Sequence, residues 1–516
     1  MKTLLLLSLS ILTTLSLHAQ WPNGVTYEIF VQSFYDTDGD SIGDFNGITE
    51  KLDYLADLGI EAIWLMPISP SPSYHKYDVT DYRDVHPDYG TMSDFKRMVE
   101  QAHRRNIKVV MDLVINHSSS EHPWFIESRK GPDNPYREYY VWRDYEEVKD
   151  EISKKTISLD SDNITQWHPN GDDAERYYGF FYGGMPDLNF DSEKLRKEIY
   201  DIGKFWLKDV GVDGFRLDAA KHIYPDDRAA DSHAFWAEFR REMQSVKKDV
   251  YLVGEVWSDV AHVAPFLEGL PALFNFDMWQ AFERSLVHQH DSGLVALHAS
   301  IQNNYKRINP DFIDATILSN HDQNRIMSVL KGDVGKAKVA AAMLLTLPGS
   351  PYIYYGEEIG MRGMKPDEEI REPFVWDEPG QDAGQARWIP HRHNVPDSTR
   401  SLASQRREGS SLFQHYRRLI KTRKNSFALT LGKLEPYEQA VDGLVCFYRV
   451  HKKEKVLVIH NVTDRAIDAP LPVSAFGEKG IQYVYPNKAY LNMPDLFREK
   501  VLPIAPYKSV VLKIQD

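Results

Sequence analysis

The stretch IKVVMDLVINH, residues 107–117, is an almost unbroken apolar run that carries Asp112 inside it and ends in Asn116 and His117. A strand with one wet face alternates apolar and polar residues. Consecutive apolar positions belong to a strand buried on both faces, as parallel strands are. Seven further runs share this character: VTYEIFVQSF, IEAIWLMP, DGFRLDAA, YLVGEVW, ALFNFDM, FIDATILSNH and SPYIYYGEE. Helix-like stretches such as TMSDFKRMVEQAHRRN and DSHAFWAEFRREMQSVKK lie between them. Eight buried runs with helical crossovers predict a (β/α)8 TIM barrel. A doubly wound open sheet is the competing architecture, but no Gly-rich phosphate turn follows the first run.

Two regions break this rhythm. Residues 118–192 are rich in Trp, Tyr, Asp, Pro and Gly, and so long an irregular insertion in a compact domain is usually functional. After about Leu431 the pattern changes to alternating segments, GLVCFYRVH, KVLVIHNV and SVVLKIQD, which read as a C-terminal antiparallel β-sandwich. The expected organisation is a barrel over 20–117 and 193–430, a loop-rich inserted domain over 118–192, and the sandwich over 431–516.

The 516-residue chain is long enough for a large core plus smaller domains. Its net charge of −14 argues against a nucleic-acid partner, which needs a concentrated basic face. Lys2, the apolar TLLLLSLSILTTLSL and the small Ala19 read as a signal peptide over 1–19, followed by export to a periplasm or the medium. That apolar run is too short and wrongly flanked for a spanning helix, so no membrane insertion is expected after its removal. The single cysteine, Cys446, reads as a small buried hydrophobe rather than half of a disulfide.

In such a barrel, chemistry sits at the C-terminal ends of the strands. There the sequence places Arg216 and Asp218, with Lys221 and His222 just beyond; Glu255, followed by Trp257; and His321 with Asp322. One carboxylate at a strand end is commonly a cap. Three converging from different strands need a compensating proton or cation. Arg216 and Asp218, two apart on a strand, share a face, and a guanidinium favours the ionised carboxylate that a nucleophile requires. Glu255, kept protonated by acidic neighbours, suits a general acid. Asp322 is the third group, stabilising positive charge on a sugar ring or pinning its hydroxyls. This is the equipment of a retaining glycosidase.

Five segments carry a resemblance. DLVINH (112–117), GFRLDAAKH (214–222), GEVW (254–257) and LSNHDQNR (318–325) resemble the four signature segments of the alpha-amylase family, glycoside hydrolase family 13. MPDLN (185–189) resembles the fifth, in a form between those of neopullulanases and oligo-1,6-glucosidases. The resemblance implies Asp218 as nucleophile, Glu255 as acid/base and Asp322 as transition-state stabiliser. It implies that Arg216, His117 and His321 line the subsite holding the sugar under attack. YHKYD (74–78) and DEEIREP (367–373) resemble two further family segments, which add Tyr77 as a stacking platform, His75 beside it, and the pair Asp367 and Arg371.

The loop FYDTDGDSIGDFNGI (34–48) alternates carboxylates like an EF-hand, yet has Ser41 and Gly47 where that motif needs Gly and Glu. By resemblance to family members similar to oligo-1,6-glucosidases, it is expected to hold a structural Ca2+ through Asp36, Asp38, Asp40, Asp44 and the Ile42 carbonyl.

The expected activity is cleavage of α-1,4-glucosidic bonds in starch-type glucans and maltooligosaccharides. The Lys221–His222 pair typically marks leaving-group subsites of amylases. An α-glucosidase or neopullulanase-like enzyme on short oligosaccharides is the close alternative. A non-catalytic glucan-binding protein on the same scaffold is the alternative of another class, and the presence of all three carboxylates speaks against it.

Overall fold

The computed structural model describes residues 22–155, 161, 163–171, 174–439, 441–472, 481–486, 489–491 and 500–514. The expected signal peptide, 1–19, lies outside the described residues.

All eight apolar runs contain a strand of one closed, parallel barrel. The strands are β1 (Thr26–Ile29), β2 (Ala62–Leu65), β3 (Lys108–Leu113), β4 (Gly214–Leu217), β5 (Tyr251–Gly254), β6 (Ala272–Phe274), β7 (Ile313–Thr316) and β8 (Ser350–Tyr354). Each pairs with its neighbours in sequence, and β1 closes the ring on β8 with Thr26 opposite Tyr352. Alternate residues fill the interior: Trp64, Val110, Tyr251, Val253, Phe274, Ala315 and Tyr352 form one buried cluster. The intervening positions face the helical ring, which explains why the runs are apolar at every position.

The helices carry the local signals that start and stop them. In the helix Met92–Arg104, Thr91 and Asp94 form a reciprocal capping box. Phe95, Met98, Val99 and Ala102 are its buried stripe, at the spacing of one helical face. The helix Phe45–Leu58 is capped by Asp44 and ends at Gly59, whose φ of 99° only glycine adopts without strain.

Between β3 and β4 the chain leaves the barrel. It builds a three-stranded antiparallel sheet from Trp142–Asp144, Glu175–Tyr178 and Trp167–Pro169, packed around Phe125, Tyr140 and Tyr177. It returns to the barrel mouth by pairing His117 with Asp187.

The C-terminal region forms a six-stranded antiparallel sheet and a two-stranded one, Ile467–Pro470 with Val501–Ile504. In the strand Leu444–His451, Leu444 and Cys446 join the core between these sheets, whereas Val445 and Phe447 join the barrel core. Cys446 is a buried free thiol, as read from sequence. The junction is latched by Arg449, which donates to the carbonyls of Thr346 and Gly432; on the barrel side Arg423 donates to those of Leu345, Leu347 and Gly349. Both cations thereby sit at the C-terminal end of the helix Val334–Thr346, where its dipole is negative.

Candidate active site

A cavity of about 570 Å³ opens at the C-terminal ends of the strands. Asp218, Glu255 and Asp322 line it, as do His75, Tyr77, His117, Lys221, His222, Asp367 and Arg371. Arg216 and His321 lie beneath the floor, fully buried, and act on the carboxylates from below.

Arg216 organises that floor. Its Nη1 lies 2.6 Å from Asp218 Oδ1 and 2.9 Å from Asp112 Oδ1, and its Nη2 lies 2.8 Å from Glu255 Oε2. One buried guanidinium therefore ties β3, β4 and β5 together at the reaction centre. Ala219, directly after Asp218, has a φ of 47°, an unusual backbone state for a residue with a Cβ. This turn aims its N–H at Glu255 Oε2, 3.3 Å away.

The carboxylates are set apart by their surroundings. Burial pushes Glu255 up to about 7; Asp218 and Asp322 add to this and Arg216 opposes it. Burial is thus the larger cause, ahead of the acidic neighbours. For Asp322 the burial penalty is outweighed by His321 and Arg371, which hold its carboxyl far below the usual range. Its Oδ2 lies 2.9 Å from His321 Nε2 and its Oδ1 3.0 Å from Arg371 Nη2. One carboxyl that keeps its proton near neutrality and one that stays ionised make a division of labour.

Arg371 is itself caged. It donates to the His321 carbonyl at 2.9 Å, to Tyr74 Oη at 3.1 Å and to Asp367 at 3.2 Å. Tyr74 stacks on Trp388, whose indole N–H donates to Ser33 Oγ at 2.7 Å. Ser33 in turn donates to the Arg371 carbonyl at 2.5 Å.

Tyr77 stacks on His321, with ring centroids 5.5 Å apart, and donates its hydroxyl to Asp112. Burial lowers His75 to about 4, so the ring is neutral. Burial likewise lowers His117, which lines the cavity wall. His222 stacks on Phe180 of the inserted region at 4.0 Å.

Several lining residues were not legible in the sequence. Phe181, Tyr182 and Met185 arrive from the inserted region, and Lys365 comes from the segment after β8, where it pairs with Asp367. Trp257 lines the wall and stacks on Phe276 with an interplanar angle of 7°.

In the loop after β1, ligand oxygens of Asp36, Asp38 and Asp40 lie within 4.8 Å of one another, a hard-oxygen set that fits a calcium ion. Asp44 is placed differently. Its carboxylate accepts the N–H groups of Thr37 and Gly47, each at 2.7 Å, and the Thr37 hydroxyl, so it also caps the following helix. The Ile42 N–H donates to Asp40 Oδ1 at 2.7 Å.

A barrel whose mouth gathers Asp218 and Glu255 on one arginine, with an ionised Asp322 beside them, is that of a glycoside hydrolase. The chain belongs to the alpha-amylase family, glycoside hydrolase family 13. The family described as "Alpha amylase, catalytic domain" matches residues 28–432, and "Alpha-amylase SusG C-terminal domain" matches residues 444–511. Alpha-amylase 3 of Dictyoglomus thermophilum is 42% identical over 494 residues, covering 96% of this chain and 94% of that protein. An oligo-1,6-glucosidase of Parageobacillus thermoglucosidasius is 33% identical, covering 88% and 92%. The crystal structure of an alpha-amylase from H. orenii superposes with a TM-score of 0.83 at 41% identity, covering 95% of this chain and 99% of that one. The protein is thus a glycoside hydrolase of this family. Among the described residues no helix is long and apolar enough to cross a membrane.

Proposed function

We propose that the protein is an exported α-amylase that cleaves α-1,4-glucosidic bonds of starch-type glucans with retention of configuration. Asp218 attacks the anomeric carbon while Glu255 gives its proton to the departing glycosidic oxygen, and the C–O bond breaks. Glu255, now ionised, takes a proton from water, which attacks the same carbon and releases Asp218. Asp322 faces the oxocarbenium-like charge that develops in both steps.

The carrying observation is the single guanidinium that touches both Asp218 and Glu255. It favours the short carboxyl spacing, roughly 5–5.5 Å, of retaining enzymes over the wider gap that holds a water in inverting ones. Lys221 and His222, on the cavity wall beyond the nucleophile, are the groups that meet sugars on the leaving side.

Likeness to oligo-1,6-glucosidases and the intermediate form of MPDLN support a second reading, action on short or 1,6-linked substrates. Products from amylose, pullulan and isomaltose, measured side by side, separate the two. Internal cleavage of amylose supports the amylase reading, and glucose alone from isomaltose and chain ends overturns it. We further propose that Asp36, Asp38 and Asp40, joined by Asp44 and the Ile42 carbonyl, hold a structural calcium ion. Bound there, it neutralises clustered carboxylates and fixes the loop without touching the reaction. Export rests on the N-terminal pattern, and cell fractionation tests it.

A further inference from the structure

At the bottom of the site, Glu28 of β1 is fully buried, with its Oε1 2.6 Å from His321 Nδ1. The opposite ring nitrogen, Nε2, lies 2.9 Å from Asp322 Oδ2 and 2.5 Å from the Tyr77 hydroxyl. Tyr77 has one hydroxyl proton, and Asp112 Oδ2 stands 3.2 Å away to receive it. The Tyr77 oxygen is therefore free to accept from His321. Each imidazole nitrogen thus faces a carboxyl group; burial raises Glu28 and His321 opposes this, and with both carboxylates ionised a neutral ring would leave one of those contacts as two acceptors pressed together.

We propose that Glu28 is a positioning residue for the glycosidic reaction: it holds His321 as a doubly protonated imidazolium, with its Nε2–H fixed on Asp322 and Tyr77. This rests on the reading of Asp322 as the stabilising carboxylate. The ring cannot turn away, because it is stacked on Tyr77 and meets the edge of Trp64 at 5.6 Å. Other charges facing the pair are Asp112 of β3, Arg216 of β4 and Glu255 of β5, with Arg371 bound to the His321 carbonyl. Tyr352 and Tyr354 of β8 flank Glu28. Burial disfavours the imidazolium, but Asp322 and Glu28 outweigh it and raise His321 to about 9. The arrangement gives Asp322 a fixed cationic partner below, so it stays ionised and immobile while charge develops above it.

The test is the protonation state of His321 in the full-length chain without substrate, read from ring nitrogen shifts of histidine-labelled protein. The signal is assigned by its loss in His321→Asn. In the wild type, both ring nitrogens should carry protons at about pH 8, and in Glu28→Gln only one should. A neutral ring in the wild type at neutral pH overturns the proposal, as does an unchanged imidazolium in Glu28→Gln. Kinetics add a second arm: Glu28→Gln should lower kcat about tenfold or more with KM nearly unchanged, and Glu28→Asp should recover part of it. A variant that only melts earlier, with kcat intact well below its Tm, assigns Glu28 a purely structural role and contradicts the proposal. Should Glu28→Gln not fold, the wild-type spectrum and Glu28→Asp decide. The spectroscopic arm requires no turnover, so failure of the proposed reaction is told apart from failure of this inference.

Discussion

Arg216 Nη2 stands 2.8 Å from Glu255 Oε2, so the proposed general acid is held against a permanent cation. Arg216 alone would drive Glu255 to ionise. Burial, with Asp218 and Asp322 close by, more than offsets it and leaves the group near 7. The site thus balances a cation against its own dryness.

The first prediction follows from that value. As an acid, Glu255 must be protonated when the substrate binds, so kcat/KM should fall as pH rises through about 7. In Glu255→Gln this limb should vanish along with most activity on natural glucans. Substrates whose leaving group needs no proton should lose far less. A pH–rate profile on maltooligosaccharides and on an activated aryl glycoside makes the comparison.

The second concerns the chain length of the substrate. Lys221→Ala should weaken turnover of long maltooligosaccharides by about fivefold, the worth of roughly one hydrogen bond to a neutral hydroxyl. A short aryl glycoside, which leaves the leaving-side subsites empty, should be barely affected. Equal losses on both substrates would remove Lys221 from those subsites.

The barrel was legible because burial on both faces writes itself as consecutive apolar residues, as in IKVVMDLVINH. The three carboxylates of the cavity were legible because they interrupt or follow such runs at the C-terminal ends of the strands. Glu28 was not, since inside VTYEIFVQSF it reads as one polar position on an edge. Only closure of the ring pairs β1 with β8, the neighbour of β7, and puts His321 against it. The Tyr74–Trp388 stack and the Arg449–Thr346 latch join segments far apart in the chain, and no local pattern encodes such contacts.

The third prediction concerns stability in acid. At the opposite end of the barrel, Asp213 is buried against His103, Lys108, Lys247 and the Val109 N–H. Burial raises its carboxyl, but His103, the Val109 N–H and Lys247 outweigh this and hold it well below the usual range. A depressed folded-state value adds stability above the unfolded carboxylate value, about 3.9, and that stability is lost as pH falls toward the folded one. Asp213→Asn should therefore cost about 2 kcal/mol or more at neutral pH and flatten the acid limb. Melting curves from neutral pH downward, for both proteins, check it.

The fourth concerns the loop after β1. A chelator should lower Tm, and Asp40→Ala should shrink that response, because an ion that binds only the folded state stabilises by mass action. At a hundredfold excess over Kd the effect is about 2.7 kcal/mol. Metal analysis of protein dialysed against calcium should find the ion in the wild type. A Tm indifferent to both calcium and chelator would refute the assignment.

In the proposed reaction Asp218 forms a covalent bond to the sugar. Its most direct test is mass spectrometry of the enzyme after reaction with a fluorinated glucosyl fluoride, which forms the intermediate quickly and releases it slowly. One glycosyl group should appear on the peptide holding Asp218, and none in Asp218→Asn. A label on another carboxylate, or full turnover of glucans by the Asp218→Asn protein, would contradict it.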